Sequence, residues 1–328
     1  MPIDEPDLDS LEDDEPASPL PPPSEVIAEI AAGTADVRSD RLRALSEPDN
    51  GTLASFVALW PQLAVQRRRD VLAWLERLAE DDVTLDFHRI HLTALRDQDA
   101  ATRILAVRGL WEEEKVEYMH LLIGQVRDDP EATVRAAVTD VLGPWVIAGE
   151  FGVLSDDDVD VLSSVLREAI EDEQEEDEVS ARALEALGAN SHESTAEAIG
   201  EAYEAGNQRL RLASLRAMGR NASDDWLPVL LYNFDDEDIE IRVAAADASG
   251  QLLLEAAIDP LTELLEDDSE EVQLAAIGAL GEIAGDDAER VLTAILGRPE
   301  PRLVEAASAA LNGVRMLSIE FDDPGDAE

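Results

Sequence analysis

The chain has 328 residues, 45% of them apolar and 4% aromatic, with no cysteine and a formal net charge of −50. The apolar fraction supports a folded core, while the missing cysteine excludes disulfides, thiolate metal sites and cysteine nucleophiles. No apolar run approaches the roughly 18 residues that span a bilayer, and so negative a surface argues against membrane and nucleic-acid partners.

The acidic N-terminus has no basic n-region, which predicts the absence of a secretory signal and a cytoplasmic location. Residues 1–25 hold nine acids and no Lys or Arg, with Pro21-Pro22-Pro23 near the end. Such a segment cannot offset its ordering entropy, so 1–24 is expected to be a disordered acidic tail. Residues 26–110 are nearly neutral, with 13 acids against 11 Lys and Arg. Residues 111–317 carry 48 acids against 14 Lys and Arg, a net −34. Residues 318–328 add five acids and no base and are expected to be a second acidic tail.

Between the tails an internal repeat dominates. Its clear copies include Val134-Arg-Ala-Ala-Val-Thr-Asp-Val-Leu-Gly143, Leu210-Arg-Leu-Ala-Ser-Leu-Arg-Ala-Met-Gly219 and Val272-Gln-Leu-Ala-Ala-Ile-Gly-Ala-Leu-Gly281. An aliphatic residue opens each segment, and another apolar residue follows eight positions later on the same helical face. Alanines between them let a neighbouring helix approach, and the closing Gly suits either such an approach or a C-terminal cap. An apolar helix and an acidic turn precede each copy, as in Val116 to Val126 followed by Asp128-Asp129-Pro130. Each unit is therefore expected to be two antiparallel helices that bury their apolar faces only by stacking.

In chain order, a degraded copy opens at Val37-Arg38, with Leu42 and Leu45 behind it. Arg68, within Arg67-Arg68-Arg69, marks the next, and Arg103 and Arg135 follow. The step from Arg135 to Ser180 is 45 residues. It contains Gly143-Pro144 and an acidic stretch from Glu171 to Glu178, and reads as an inserted linker over 144–158 plus a long intra-repeat turn. From Ser180 onward, Arg211, Arg242, Gln273 and Val304 are spaced by 31 residues, four times running. The expected organisation is N-terminal repeats over 25–143, the linker, and C-terminal repeats over 159–317. The fold expected is an all-α, right-handed α–α superhelix of about nine helical hairpins.

Few residues point to chemistry. Arg103, Arg135, Arg211 and Arg242 recur at one repeat position, where tying a turn to a helix is the first reading and ligand contact the second. His88 and His91 stand three apart on one helix, and His120 lies one local repeat beyond His88. With Asp86 or Glu117 they could form a two-His-plus-carboxylate metal site, but ordinary helix positions are the first reading and no metal is expected. Acidic runs such as Asp156-Asp-Asp-Val-Asp160 lack the glycine and closing Glu of a calcium loop. Trp60, Trp74, Trp111, Trp145 and Trp226 read as core packing. No phosphate loop, nucleophile elbow or catalytic triad spacing is present, so neither an enzyme nor a cofactor is expected.

Acidic turn, Val-Arg, Ala-Ala and Ala-Leu-Gly together resemble HEAT-like repeats, in particular the short subclass also found in phycobilin lyases. The resemblance covers residues 25–317 and is clearest from 127 to 312. It implies an α-solenoid that serves as a scaffold or adaptor, with a cofactor-handling lyase-like subunit as alternative and a nucleic-acid-binding HEAT protein as a remoter one. It also implies an Asp-to-Arg bridge from turn to second helix, from Asp128 or Asp129 to Arg135 and from Asp235 or Asp236 to Arg242. Ser180, Gln273 and Val304 would interrupt that ladder. The deoxyhypusine hydroxylases of the same class bind iron through several His-Glu pairs, and only His192-Glu193 has that form here. The partner expected is a basic protein docking on 111–317, with Arg67, Arg68 and Arg69 as a second surface suited to an acidic peptide, such as the chain's own N-terminal tail.

Overall fold

The computed structural model describes residues 19–33, 39–111, 115–205 and 207–321, with side chains as far as Val314. Among them are seventeen α-helices, five 3-10 helices and no strand. They fall into two compact units, Met1–Gly109 and Leu110–Glu328.

The first unit holds α1 (Pro23–Ala32), α2 (Asn50–Leu59), α3 (Val65–Asp81), α4 (His88–Ala94) and α5 (Ala100–Arg108). Pro23 begins α1 inside the expected tail, where its missing amide costs nothing. Helix α1 packs on α2 and on a 3-10 turn, Asp40–Leu45, that buries Leu42 and Leu45. Helices α4 and α5 form a hairpin, and α3 packs beside α5. Asp49 and Asp99 start α2 and α5 by accepting the amides of Thr52 and Thr102 at 2.7 and 2.9 Å.

The second unit holds α6 (Val116–Asp128), α7 (Ala132–Glu150), α8 (Asp156–Glu171), α9 (Asp177–Leu187), α10 (Glu193–Ala205) and α11 (Gln208–Asn221). It continues with α12 (Leu227–Tyr232), α13 (Ile239–Gln251), α14 (Ile258–Leu264), α15 (Glu270–Ile283), α16 (Gly285–Ile295) and α17 (Pro301–Phe321). Each first helix packs on the second helix that follows it, and the second helices α7, α9, α11, α13, α15 and α17 pack in succession. This is the all-α solenoid, in which each hairpin completes its core only against its neighbours. Eight helix pairs, α2–α3 to α16–α17, account for the repeats from residue 50 onward. The degraded copy at Val37 and Arg38 lies outside the described residues, as do 1–18 and 322–328 of the expected tails.

The glycine column closes the second helices by close approach rather than by capping. A Cβ on Gly188, Gly219 or Gly250 would stand 2.8, 2.8 or 2.6 Å from the Cα of Ala217, Ala248 or Ala279. None of these glycines has a positive φ, so backbone contact between successive second helices is what requires them.

Two boundaries differ from the sequence expectation. Residues 144–150 are not linker but the last two turns of α7, with Pro144 inside the helix. Val141, Leu142, Trp145 and Val146 are all buried, and burial on that scale outweighs the roughly 3 kcal/mol that an internal proline costs. The connection shrinks to 151–155, and the acidic turn between α8 and α9 is only 172–176. The 45-residue step is thus taken up by two long helices. The division between compact units also falls after Gly109 rather than at 144.

Candidate protein-binding surface

The recurring arginines are built into the stack. Asp97, Asp129, Asp236 and Asp267 each accept the amide two residues on, at 2.9, 3.0, 2.9 and 2.7 Å, which folds the turn back on itself. Six residues after each Asp, the side chains of Arg103, Arg135, Arg242 and Gln273 donate to that residue's backbone carbonyl at 2.6–2.8 Å. The implied bridge to the carboxylate of the same turn is not what forms. Instead the guanidinium reaches the acid of the next repeat. Arg135 grips Glu175 at 2.8 and 2.5 Å, Arg211 meets Asp236 at 2.6 Å, and Arg242 holds Asp267 at 2.9 and 3.0 Å. Gln273 keeps the carbonyl contact although it lacks the charge, whereas Ser180 turns to the Ala169 carbonyl at 2.9 Å.

These pairs set the acidity of the turns. The Asp238 amide and then Arg211 hold Asp236 below the usual carboxylate range. Burial pushes Asp267 and Glu175 upward, yet Arg242 and Arg135 outweigh it and both end low.

The Arg67-Arg68-Arg69 run is not a free cationic patch. Arg68 pairs with Asp97, a carboxylate that also accepts the Trp60 indole N–H at 2.8 Å. Arg69 forks onto Asp99 at 2.8 and 2.5 Å and holds its carboxyl well below the usual range. Of the tryptophans, Trp60 and Trp145 are core residues, whereas Trp111 is about half exposed.

The histidines do not form a metal site together. His91 is 1% exposed, its ring lying where a Cβ on Gly109 would come within 2.2 Å. Burial pushes it down to about 4. His88 stands 3.1 Å from Asp86, and His120 lies 2.8 Å from Asp158. Among the described residues, no three His, Asp or Glu side chains gather as a metal ion requires.

Two further columns, overlooked in the sequence although they share its 31-residue spacing, run along the second helices, all of their members exposed or half-buried except the buried Glu185. One runs Glu178, Arg209, Glu240 and the other Glu185, Arg216, Asp247. Arg209 pairs with Glu178, and Arg216 with Glu185 at 3.0 Å. Arg182 bridges both acids at 3.1 and 3.6 Å. They border an open groove of about 560 Å³ over α9, α11 and α13. Beyond Arg216 the second column continues with Asp247, whereas the first runs on through Glu271 to Arg302, which pairs with Glu270. Burial of its carboxyl raises Asp247 although the residue is exposed overall, and Glu282 is raised by burial and by Asp247. Neither forms an ion pair among the described residues.

Residues 227–312 match the family model of HEAT repeats. No curated protein matches the chain. Among solved structures, Kap95p bound to RanGDP aligns with 89% of the chain and 45% of its own, at 14% identity and a TM-score of 0.51. Importin beta aligns with 88% of the chain and 48% of its own, at 14% identity and a TM-score of 0.48. Human deoxyhypusine hydroxylase aligns with 90% of the chain and 97% of its own, at 17% identity and a TM-score of 0.35. The likeness is one of fold.

Proposed function

We propose that this HEAT-like repeat solenoid is a non-catalytic scaffold or adaptor whose second unit binds a basic protein partner. The observation that carries the reading is the face of the second helices near Asp247 and Glu282, two exposed carboxylates with raised pKa values and no ion pair among the described residues. Arg216, the nearest positive charge, is held by Glu185 at 3.0 Å. A Lys or Arg from a partner would offset that unpaired charge, and the net −34 over 111–317 would steer such a partner in. The shared fold adds support, since Kap95p is a solenoid that binds a protein, RanGDP. The proposal includes a cytoplasmic setting.

The test is affinity capture from native lysate with the full-length protein at about 50 and 300 mM salt, a range over which the Debye length shortens markedly. Captured proteins are expected to be basic, to elute as salt rises, and to be lost with Asp247→Asn and Glu282→Gln. Capture indifferent to salt and to those substitutions would refute it.

A further inference from the structure

The connection between α7 and α8 exposes large apolar side chains in an ordered turn. Ile147, Phe151 and Val153 are 47%, 82% and 75% exposed. Gly152 adopts φ 70°, its amide donates to the Gly149 carbonyl at 3.0 Å, and the Val153 amide donates to the Ala148 carbonyl at 2.9 Å. That pair of hydrogen bonds is a Schellman cap, in which the residue after the left-handed glycine folds back over the last helical turn. Ile147 and Phe151 are one turn apart on the same side of α7. The three side chains therefore form one patch, and buried Leu154 anchors the chain just behind it.

The rim of this patch is acidic. Glu150, Asp156, Asp157 and Asp160 surround it in sequence and are exposed, and no Lys or Arg occurs between Arg135 and Arg167. An apolar knob in an ordered turn, flanked along the chain by exposed charges of one sign, suits an amphipathic partner of the opposite sign.

We propose that Ile147, Phe151 and Val153, with their acidic rim, dock a short amphipathic helix of a protein partner whose apolar face is flanked by Lys or Arg. The proposal rests on the scaffold reading and adds where the partner sits and what it looks like.

The experiment uses full-length protein and two fluorescein-labelled peptides of equal positive charge, a Leu-Lys amphipathic helix and a Leu-free counterpart, read by fluorescence anisotropy. The Leu-Lys peptide is expected to bind at least tenfold more tightly. Phe151→Ser with Val153→Ser should abolish that preference, while Asp156→Asn with Asp157→Asn should weaken both peptides. Tyr232→Ser, at an exposed aromatic on another hairpin, should leave the preference intact. A preference that survives the Phe151 and Val153 changes overturns the site. Equal binding of both peptides also overturns it but leaves the basic-partner reading standing; no binding by either peptide counts against both. A wild-type dimer in sedimentation that the double variant returns to monomer would make a second copy the occupant, and would likewise overturn the proposal.

Discussion

A Cβ placed on Gly250 would lie 2.6 Å from the Cα of Ala279, so these two residues mark where α13 and α15 touch backbone to backbone. The same relationship joins Gly188 to Ala217 and Gly219 to Ala248. Gly250→Ala is therefore expected to force the helices apart and destabilise the protein by about 1–3 kcal/mol. Gly278, on the exposed side of α15, has open space around its missing Cβ. Gly278→Ala should instead stabilise by about 0.5–1 kcal/mol through helix propensity. Thermal melts followed by circular dichroism distinguish the two, and equal shifts would show that the close approach is not limiting.

Arg242 ties two successive turns, through the Asp236 carbonyl at 2.8 Å and the Asp267 carboxylate at 2.9 and 3.0 Å. Both partners are largely buried, so Arg242→Ala should cost on the order of 2–3 kcal/mol, most of it from leaving Asp267 without its counter-charge. Arg242→Lys cannot span both acceptors and should recover only part of the loss. A double-mutant cycle with Asp267→Asn measures the coupling by denaturant midpoint. A coupling near zero would mean that the pair is incidental.

His91 makes stability depend on pH in a defined window. Its folded pKa lies at about 4, below the ordinary value of 6.5, so the unfolded chain binds the proton more readily. Stability from this residue is complete above about pH 6.5 and is lost as pH falls toward 4. The turn acids Asp236, Asp267 and Glu175, whose pKa values are lowered, add a further loss as pH falls through the carboxylate range. His91→Leu should flatten the urea-midpoint profile between pH 6.5 and 4.5 while leaving the acid limb below it. An unchanged slope in that window would place its origin elsewhere.

Asp247 and Glu282 act in the opposite direction. Their folded pKa values are raised, so the folded state binds protons more readily, and they favour folding less as pH rises past the carboxylate range. Asp247→Asn and Glu282→Gln should each raise the melting temperature at pH 7, with a smaller gain at pH 4, while weakening binding of a basic partner. A drop in melting temperature at neutral pH would contradict the desolvation argument.

Much of the fold was legible in the linear chain because a repeat states each structural demand several times. The 31-residue spacing located the second helices, and the aliphatic and alanine columns identified the faces they bury. Arg135 and Arg242 were read as tethers because an arginine recurring beside an acidic turn is most simply one, and each donates to a carbonyl of that turn, Asp129 or Asp236. The Arg67-Arg68-Arg69 run misled because a sequence shows charge but not its partners, and Asp97 and Asp99 lie about thirty residues away. Pro144 misled because local propensity disfavoured the helix that Trp145 and Val146 hold by burial.

The sequence by itself determined the repeat, its all-α class, the stacking of hairpins and the concentration of acid after residue 110, since periodicity and composition are local properties. Only the tertiary structure decided that Arg135, Arg211 and Arg242 bind the following turn, that the glycine column serves backbone contact, and that Phe151 and Val153 stand in water beside an acidic rim. The first two depend on which groups meet across helices about 25 to 40 residues apart, and the third on which side chains packing leaves in water; packing and desolvation make both choices, which spacing along the chain does not encode.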